Sequence, residues 1–389
     1  MNRSMMVLAL SMVLGSASAA GAQDKIKIGV IATLSGPPAA IGQQIRNGID
    51  LALQELGGKM SGKEVELVVQ DDELKPDVAV TKVNALVERD KVDFVIGPVF
   101  SNILQAIIKP VTDSGTILIS PNPGTSDFAG KHCNPNFFVT SIQNDQGSQA
   151  LGQYAMDQNF DRVMTLVPNY QAGRDMIEGF KRSYKGDLVD EIYVPLNQLD
   201  FSAELTRIAV EQPPAIFAFL PGGMGINFMK QFDQVGLSGK VQVLSVFTAD
   251  EVALPAQKDA ALGVLGGTHW TPNLDNQRNK AFVTSYENTY KAVPATYAAN
   301  AYDTVFLIDA AVKATHGDTS DVTILRGALK DAQFASVRGK FKFNNNHYPV
   351  QDILISKVGK RGDGQYQTEF VKTVFADNAD HFATACEMK

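Results

Sequence analysis

The 389-residue chain has two cysteines, one tryptophan and five histidines, and it carries no excess of positive charge. Each shortage excludes something. His132, His269, His316, His347 and His381 never fall into HxxxH or HExxH spacing, and two isolated cysteines cannot build a zinc site. No metal and no cofactor is therefore expected. The absence of a G-x-S-x-G elbow removes the commonest hydrolase signature. A net charge of −7 and a pI near 5.3 lack the basic face that nucleic acid requires. Past the first residues, no run reaches the roughly eighteen apolar residues that a membrane span needs.

The N-terminus is different. Residues 1–22 place Arg3 before an apolar stretch at 5–14, then offer Ala17-Ser18-Ala19 and Ala20-Gly21-Ala22 as cleavage patterns. This is the grammar of a secretory signal peptide, so the mature chain is expected outside the cytoplasm. No cysteine ends the segment, which argues against a lipid anchor. In an oxidising compartment two cysteines can pair, and a Cys133–Cys386 disulfide is expected over two buried free thiols. The mature chain is longer than one hydrophobic core usually serves, so two domains are the default.

Strand and helix patterns alternate along the chain. Apolar strands at 25–32, 65–70, 92–96 and 116–120 are separated by helical stretches at 43–56, 78–89 and 101–113. After 137–141 a second series places strands at 162–167, 188–194, 215–220 and 241–246. Its helices are 146–157, 173–184, 203–210 and 226–235. Near-continuous Val/Ile/Leu strands between helices predict parallel sheets covered on both faces. Beyond 264–270 the alternation gives way to helices at 277–291, 298–314 and 322–332. Ribbons come next, 339–343 with 352–357, and then 366–375. The fold class is α/β, with two doubly wound lobes. The leftover region must complete both lobes, so the chain crosses near Ser141, His269 and Asn345. One lobe then holds 23–141 with 270–345, the other 142–269 with 346–389. Three crossings make a hinge, and ligands of open α/β sheets sit at the carboxyl ends of the strands.

Local motifs narrow the chemistry. Residues 57–63 (GGKMSGK) fit GxxxxGK, but Glu64 replaces the hydroxyl residue and the segment follows a helix, so it reads as a turn. Residues 223–228 begin like a dinucleotide loop, yet Phe228 stands where a third glycine is needed, leaving a tight strand-to-helix turn. Ser101-Asn102 follows one strand and Asn122-Pro123-Gly124-Thr125 the next, on one edge of the first lobe. A hydroxyl beside backbone N–H groups can cradle a carboxylate without a catalytic base. The bland alternative for Ser101 is a helix N-cap.

Taken together, IGVIATLSGPPAAIGQQIRNGIDLAL, VIGPVFS, ILISPNPGT and VPNYQAGRD resemble, in order and over the whole mature chain, the type I periplasmic solute-binding proteins of ABC importers. The nearest resemblance is to the leucine/isoleucine/valine receptors. It implies a carboxylate-binding hydroxyl at Ser101 with Val99 as an apolar wall, and donors at Asn122 and Gly124. The family's usual threonine falls on Gly124, with Thr125 one place later. A first-loop aromatic of the amino-acid receptors falls on Ile41. In the second lobe the resemblance implies ligand contacts at Ala172 or Tyr170, at Gly222 and Met224, and at Phe247. An acid for an α-ammonium falls near Asp250, and a cleft-facing tyrosine on Tyr297. As plain structure, Tyr170 and Tyr297 read as surface aromatics, Met224 as packing and Asp250 as a helix cap.

Ile41, Val99, Phe100, Phe219, Met224 and Phe247 make the expected cleft apolar and aromatic, with Asp250 as its one acid. A desolvated ammonium needs a partner. The balance therefore tilts to a small carboxylate with an apolar or aromatic body, of the benzoate type, ahead of a branched-chain or aromatic amino acid. The expected partner is an ABC permease of the inner membrane, served by a monomer in the periplasm without enzymatic activity. Two other readings stay open: a secreted hydrolase using Ser101, which lacks a neighbouring base in the sequence, and a sensory receptor of the same fold.

Overall fold

The computed structural model describes residues 25–388; the leader assigned to residues 1–22 lies outside the described residues. The first sheet has the order β2-β3-β1-β4-β5-β6. Its strands are β1 (Lys25–Ala32), β2 (Lys59–Met60), β3 (Lys63–Asp71), β4 (Phe94–Ile96), β5 (Ile117–Ser120) and β6 (Phe137–Val139). All pairings are parallel except β2 with β3. The 57–63 segment makes that hairpin, with Gly57, Gly58, Ser61 and Gly62 at positive φ, so it is a turn. Helices α1 (Ala39–Glu55), α2 (Pro76–Asn84), α3 (Ser101–Asp113) and α4 (Ser126–Ala129) belong to this lobe. The inward stripe of α1 is Ile41, Ile45, Ile49 and Ala52, at the spacing of one helix face.

The second sheet starts after α5 (Asn144–Asp157) with β7 (Arg162–Pro168), α6 (Gln171–Ser183), β8 (Asp187–Val194) and α7 (Ser202–Glu211). It continues through β9 (Ala215–Ala218), α8 (Gly223–Gln234), β10 (Gln242–Ser245), α9 (Leu254–Gln257) and β11 (Leu265–Thr268). Helices α10 (Gln277–Tyr290), α11 (Thr296–Ala314) and α12 (Val322–Lys330) then return to the first lobe. There Trp270, Tyr302 and Ile308 share one core with Ile28, Val30, Phe94 and Ile119. Finally β12 (Lys342–Phe343), β13 (Pro349–Lys360) and β14 (Tyr366–Asn378) extend the second sheet in the order β12-β13-β11-β10-β9-β7-β8, with β14 on β13. The sequence pattern pairs 339–343 with 352–357. Instead β12 meets β13 only at Pro349 and Val350, because residues 354–357 of β13 already bond to β11 on one side and β14 on the other.

The chain thus passes between the sheets after β6, after β11 and before β12. These passages are tied to one another. Gln351 Nε2 donates to the Ser141 carbonyl (2.7 Å), as does Arg338 Nη1 (3.2 Å), and Arg338 also pairs with buried Asp303 of α11 (3.1 Å). His269 Nε2 lies 2.9 Å from Asn300 Oδ1. Cys133 and Cys386 are joined, with Cα atoms 5.7 Å apart. The bond fastens the tail to the loop after α4, where Asn346 also donates to Asp380 (2.8 Å).

Candidate functional site

The carboxyl end of β4 delivers Ser101 through a turn that only glycine permits. Gly97 has φ +138°, and a Cβ there would lie 2.0 Å from the Ile31 carbonyl oxygen. The backbone then enters α3 with Phe100 as its extended N-cap, so Ser101 is the first helical residue and its hydroxyl caps nothing. Ser101 is buried, and its Oγ receives a long bond from Asn144 Nδ2 (3.4 Å). The hydroxyl proton remains available to a ligand. The plain N-cap reading of Ser101 does not describe this geometry.

A narrow cavity lies between the lobes at this point. Ser101, Val99, Asn122 and Ile41 line it from the first lobe, with Tyr297 of α11. Tyr170, Ala172, Phe219 and Phe247 line it from the second. Its most distinctive feature is aromatic. Phe100 and Tyr170 have ring centroids 6.5 Å apart, Tyr170 and Phe219 6.1 Å, Phe219 and Phe247 6.3 Å, and Phe247 and Tyr297 5.4 Å. Five rings form a continuous chain that crosses from one lobe to the other and back. Tyr170 is the first residue before α6, and among the described residues its hydroxyl has no hydrogen-bond partner. Burial, and then the charge of Asp175, hold that phenol protonated by raising its pKa.

Five residues expected at the site stand off the cavity wall. Gly124 faces the hinge: its N–H donates to Asn144 Oδ1 (3.0 Å), and a Cβ there would sit 2.2 Å from the Ile142 carbonyl oxygen. That close approach accounts for glycine where a threonine is expected. Among the described residues the buried Thr125 hydroxyl has no hydrogen-bond partner, while its carbonyl accepts from Tyr348. Gly222, at φ +62°, supports Ile41 across the cleft, since a Cβ there would come within 3.3 Å of Ile41 Cδ1. Met224 packs into the second lobe's core with Phe228 and Met229.

Asp250 is the most informative of the five. Its Oδ1 accepts from the N–H groups of Val252 and Ala253 (3.1 Å each), as a helix cap would. Its Oδ2 accepts from the Tyr297 hydroxyl (3.0 Å), a bond between the lobes. Burial pushes its pKa up to about 6, against the opposing Tyr297 and backbone bonds. The only acid assigned to the cleft is therefore behind Tyr297, with both oxygens occupied.

The sequence pattern does not single out Asn144, Ile142, Met176, Pro123 or Pro221, which complete the wall. A signal exists for two of them: Ile142 and Asn144 flank the crossing expected near Ser141. Met176 lies one turn after Ala172 on the same face of α6. Among the cavity-lining residues there is no histidine, lysine or arginine.

Two α/β lobes, three linking segments and an interlobe cavity with a serine hydroxyl on its wall define a cleft-type solute-binding protein. The chain belongs to the periplasmic binding protein family, whose pattern matches residues 25–363. It is similar to a Leu/Ile/Val-binding protein homolog of Brucella melitensis, 30% identical over 371 residues that span 92% of this chain and 93% of the relative. Among solved structures, it is similar to an R. palustris ABC-transporter solute-binding protein in complex with benzoate. That match has a TM-score of 0.88 and 32% identity, covering 93% of this chain and 99% of the other. A second R. palustris solute-binding protein, solved with 4-hydroxybenzoate, matches with a TM-score of 0.85 and 28% identity over 92% and 98% of the two chains. Among the described residues no helix is long and apolar enough to cross a membrane.

Proposed function

We propose that this protein captures a small aromatic carboxylate of the benzoate type and passes it, as a periplasmic monomer, to an ABC permease of the inner membrane. The carrying observation is the wall itself: five linked aromatic rings, a free serine hydroxyl, and no available carboxylate. On this reading the ligand carboxylate meets Ser101, beside Asn122 whose Nδ2 already donates to the Val99 carbonyl (2.6 Å), and the ring lies among Tyr170, Phe219 and Phe247. The solved relatives bound to benzoates support this reading. No histidine, lysine or arginine lines the wall beside Ser101, which supports reading the site as one for binding.

One observation favours an amino acid. If Tyr297 left Asp250, that carboxylate would gain an oxygen for an α-ammonium, and the Brucella relative is named for leucine, isoleucine and valine. A thermal-shift series decides between the two. Benzoate and 4-hydroxybenzoate at a hundred times their dissociation constant should stabilise the protein by about 2.7 kcal/mol. Stabilisation by leucine, isoleucine or valine and none by the benzoates would overturn the proposal.

A further inference from the structure

Beside the cavity, four hydrogen-bond donors converge on one buried carboxylate. Asp175 of α6 accepts at Oδ1 from Ser126 Oγ (2.6 Å) and Gln171 Nε2 (2.9 Å). At Oδ2 it accepts from the Ser126 N–H (3.2 Å) and Asn144 Nδ2 (2.9 Å). Ser126 begins α4 of the first lobe, so two of these bonds span the cleft. No lysine or arginine among the described residues forms an ion pair with Asp175; nearby Arg182 is engaged by Asp145. A buried charge without a cation depends on its hydrogen bonds, and opening the cleft would exchange those from Ser126 for water.

Asn144 extends the contact to the ligand side. Its N–H donates to the Gly124 carbonyl (2.7 Å) and its Oδ1 accepts from the Gly124 N–H (3.0 Å), which fixes the amide beside the first crossing. That orientation leaves Nδ2 for Asp175 and, at 3.4 Å, for Ser101 Oγ. A serine oxygen that accepts from Asn144 keeps its own proton for another acceptor, and Ser101 lines the cavity.

We propose that Asp175 is a positioning residue for ligand capture, closing the cleft on Ser126 and, through Asn144, aiming the Ser101 hydroxyl at the ligand. The second part rests on the reading that Ser101 receives the ligand's carboxylate; the first does not. A carboxylate suits the place because it only accepts. An amide would turn an NH₂ group against at least one of the donors.

Asp175→Asn should raise the ligand dissociation rate roughly ten- to a hundredfold, the equivalent of charged hydrogen bonds lost from the closed form. The association rate should stay within about threefold, because the contact forms only after encounter. Ser126→Ala should act in the same direction, and the double variant should be markedly less than additive. Stopped-flow fluorescence with benzoate and with isoleucine as separate probes reads both rates. Binding of isoleucine alone would refute the aromatic-acid reading while still testing the latch on isoleucine. If neither probe binds, paramagnetic relaxation across the ligand-free cleft takes over, and Asp175→Asn must lower the closed population severalfold. Should Asp175→Asn fail to fold, Ser126→Ala carries the test by the same measurements. Folded variants with unchanged dissociation rates, or with an unchanged closed population where no probe binds, overturn the proposal.

Discussion

Benzoate binding should tighten about tenfold between pH 7 and pH 5, and Asp250→Asn should remove most of that gain. In the closed cleft, burial pushes the Asp250 pKa from 3.8 to about 6. Opening separates it from Tyr297 and hydrates the carboxylate, returning it toward the lower value. The closed form therefore holds the proton more tightly, and acid favours closing. The contribution is fully present below about 3.8 and is lost as pH rises through about 6. Between these two pKa values, the linkage relation gives a factor of roughly ten from pH 7 to pH 5. It also gives close to one proton taken up per ligand at pH 5, and about a tenth at pH 7. Glu251, pushed up to about 7 by burial, bonds to Thr368 within its own lobe and should not respond to closing. Titration calorimetry at both pH values, in two buffers of different ionisation enthalpy, counts the protons. An identical pH dependence in wild type and Asp250→Asn would refute the argument, and so would weaker wild-type binding at pH 5.

Ser101→Ala should weaken benzoate roughly ten- to a hundredfold, by loss of a hydrogen bond to a charged group, without lowering the melting temperature; calorimetry with an unchanged dissociation constant would contradict it. Titration of the denatured, unreduced protein should find almost no free thiol, because Cys133 and Cys386 are joined, whereas two thiols per chain would contradict the pairing. Small-angle scattering should show a smaller radius of gyration with a saturating benzoate ligand than without, since Ser126–Asp175 and Tyr297–Asp250 form only when the lobes meet.

The fold was legible because its strands are buried on both faces. A segment such as β1, apolar almost throughout, has no other place than the middle of a parallel sheet. Helix α3 could be bounded at Ser101 and Asp113 because a turn and a glycine flank an amphipathic stretch. The closing ribbon was less legible. β14 is half exposed over most of its length, so its inward and outward residues alternate weakly. Which partner an isolated strand chooses is decided by edges already in place. β13 found two, β11 and β14, and left β12 only two residues.

The site was legible one loop at a time and no further. Sequence shows that Ser101, Asn122, Tyr170 and Phe247 follow strands, and strand ends are where clefts form. It does not show which groups are already occupied by one another. Asp250 looks like an ammonium partner until Tyr297, forty-seven positions away and on the other lobe, takes one of its oxygens. Gly124 looks like a lost hydroxyl until the Ile142 carbonyl is found where a side chain would stand. Asn144, two residues before the helix expected at 146–157, draws no notice until it is seen holding Ser101 and Asp175 at once. Each of these facts is a contact between lobes, beside the hinge or between neighbouring helices, far apart in the chain. A cleft that closes composes its chemistry from both walls together. The same contacts that hid its residues from a linear reading make ligand affinity depend on the energy of closing as well as on the groups that touch the ligand.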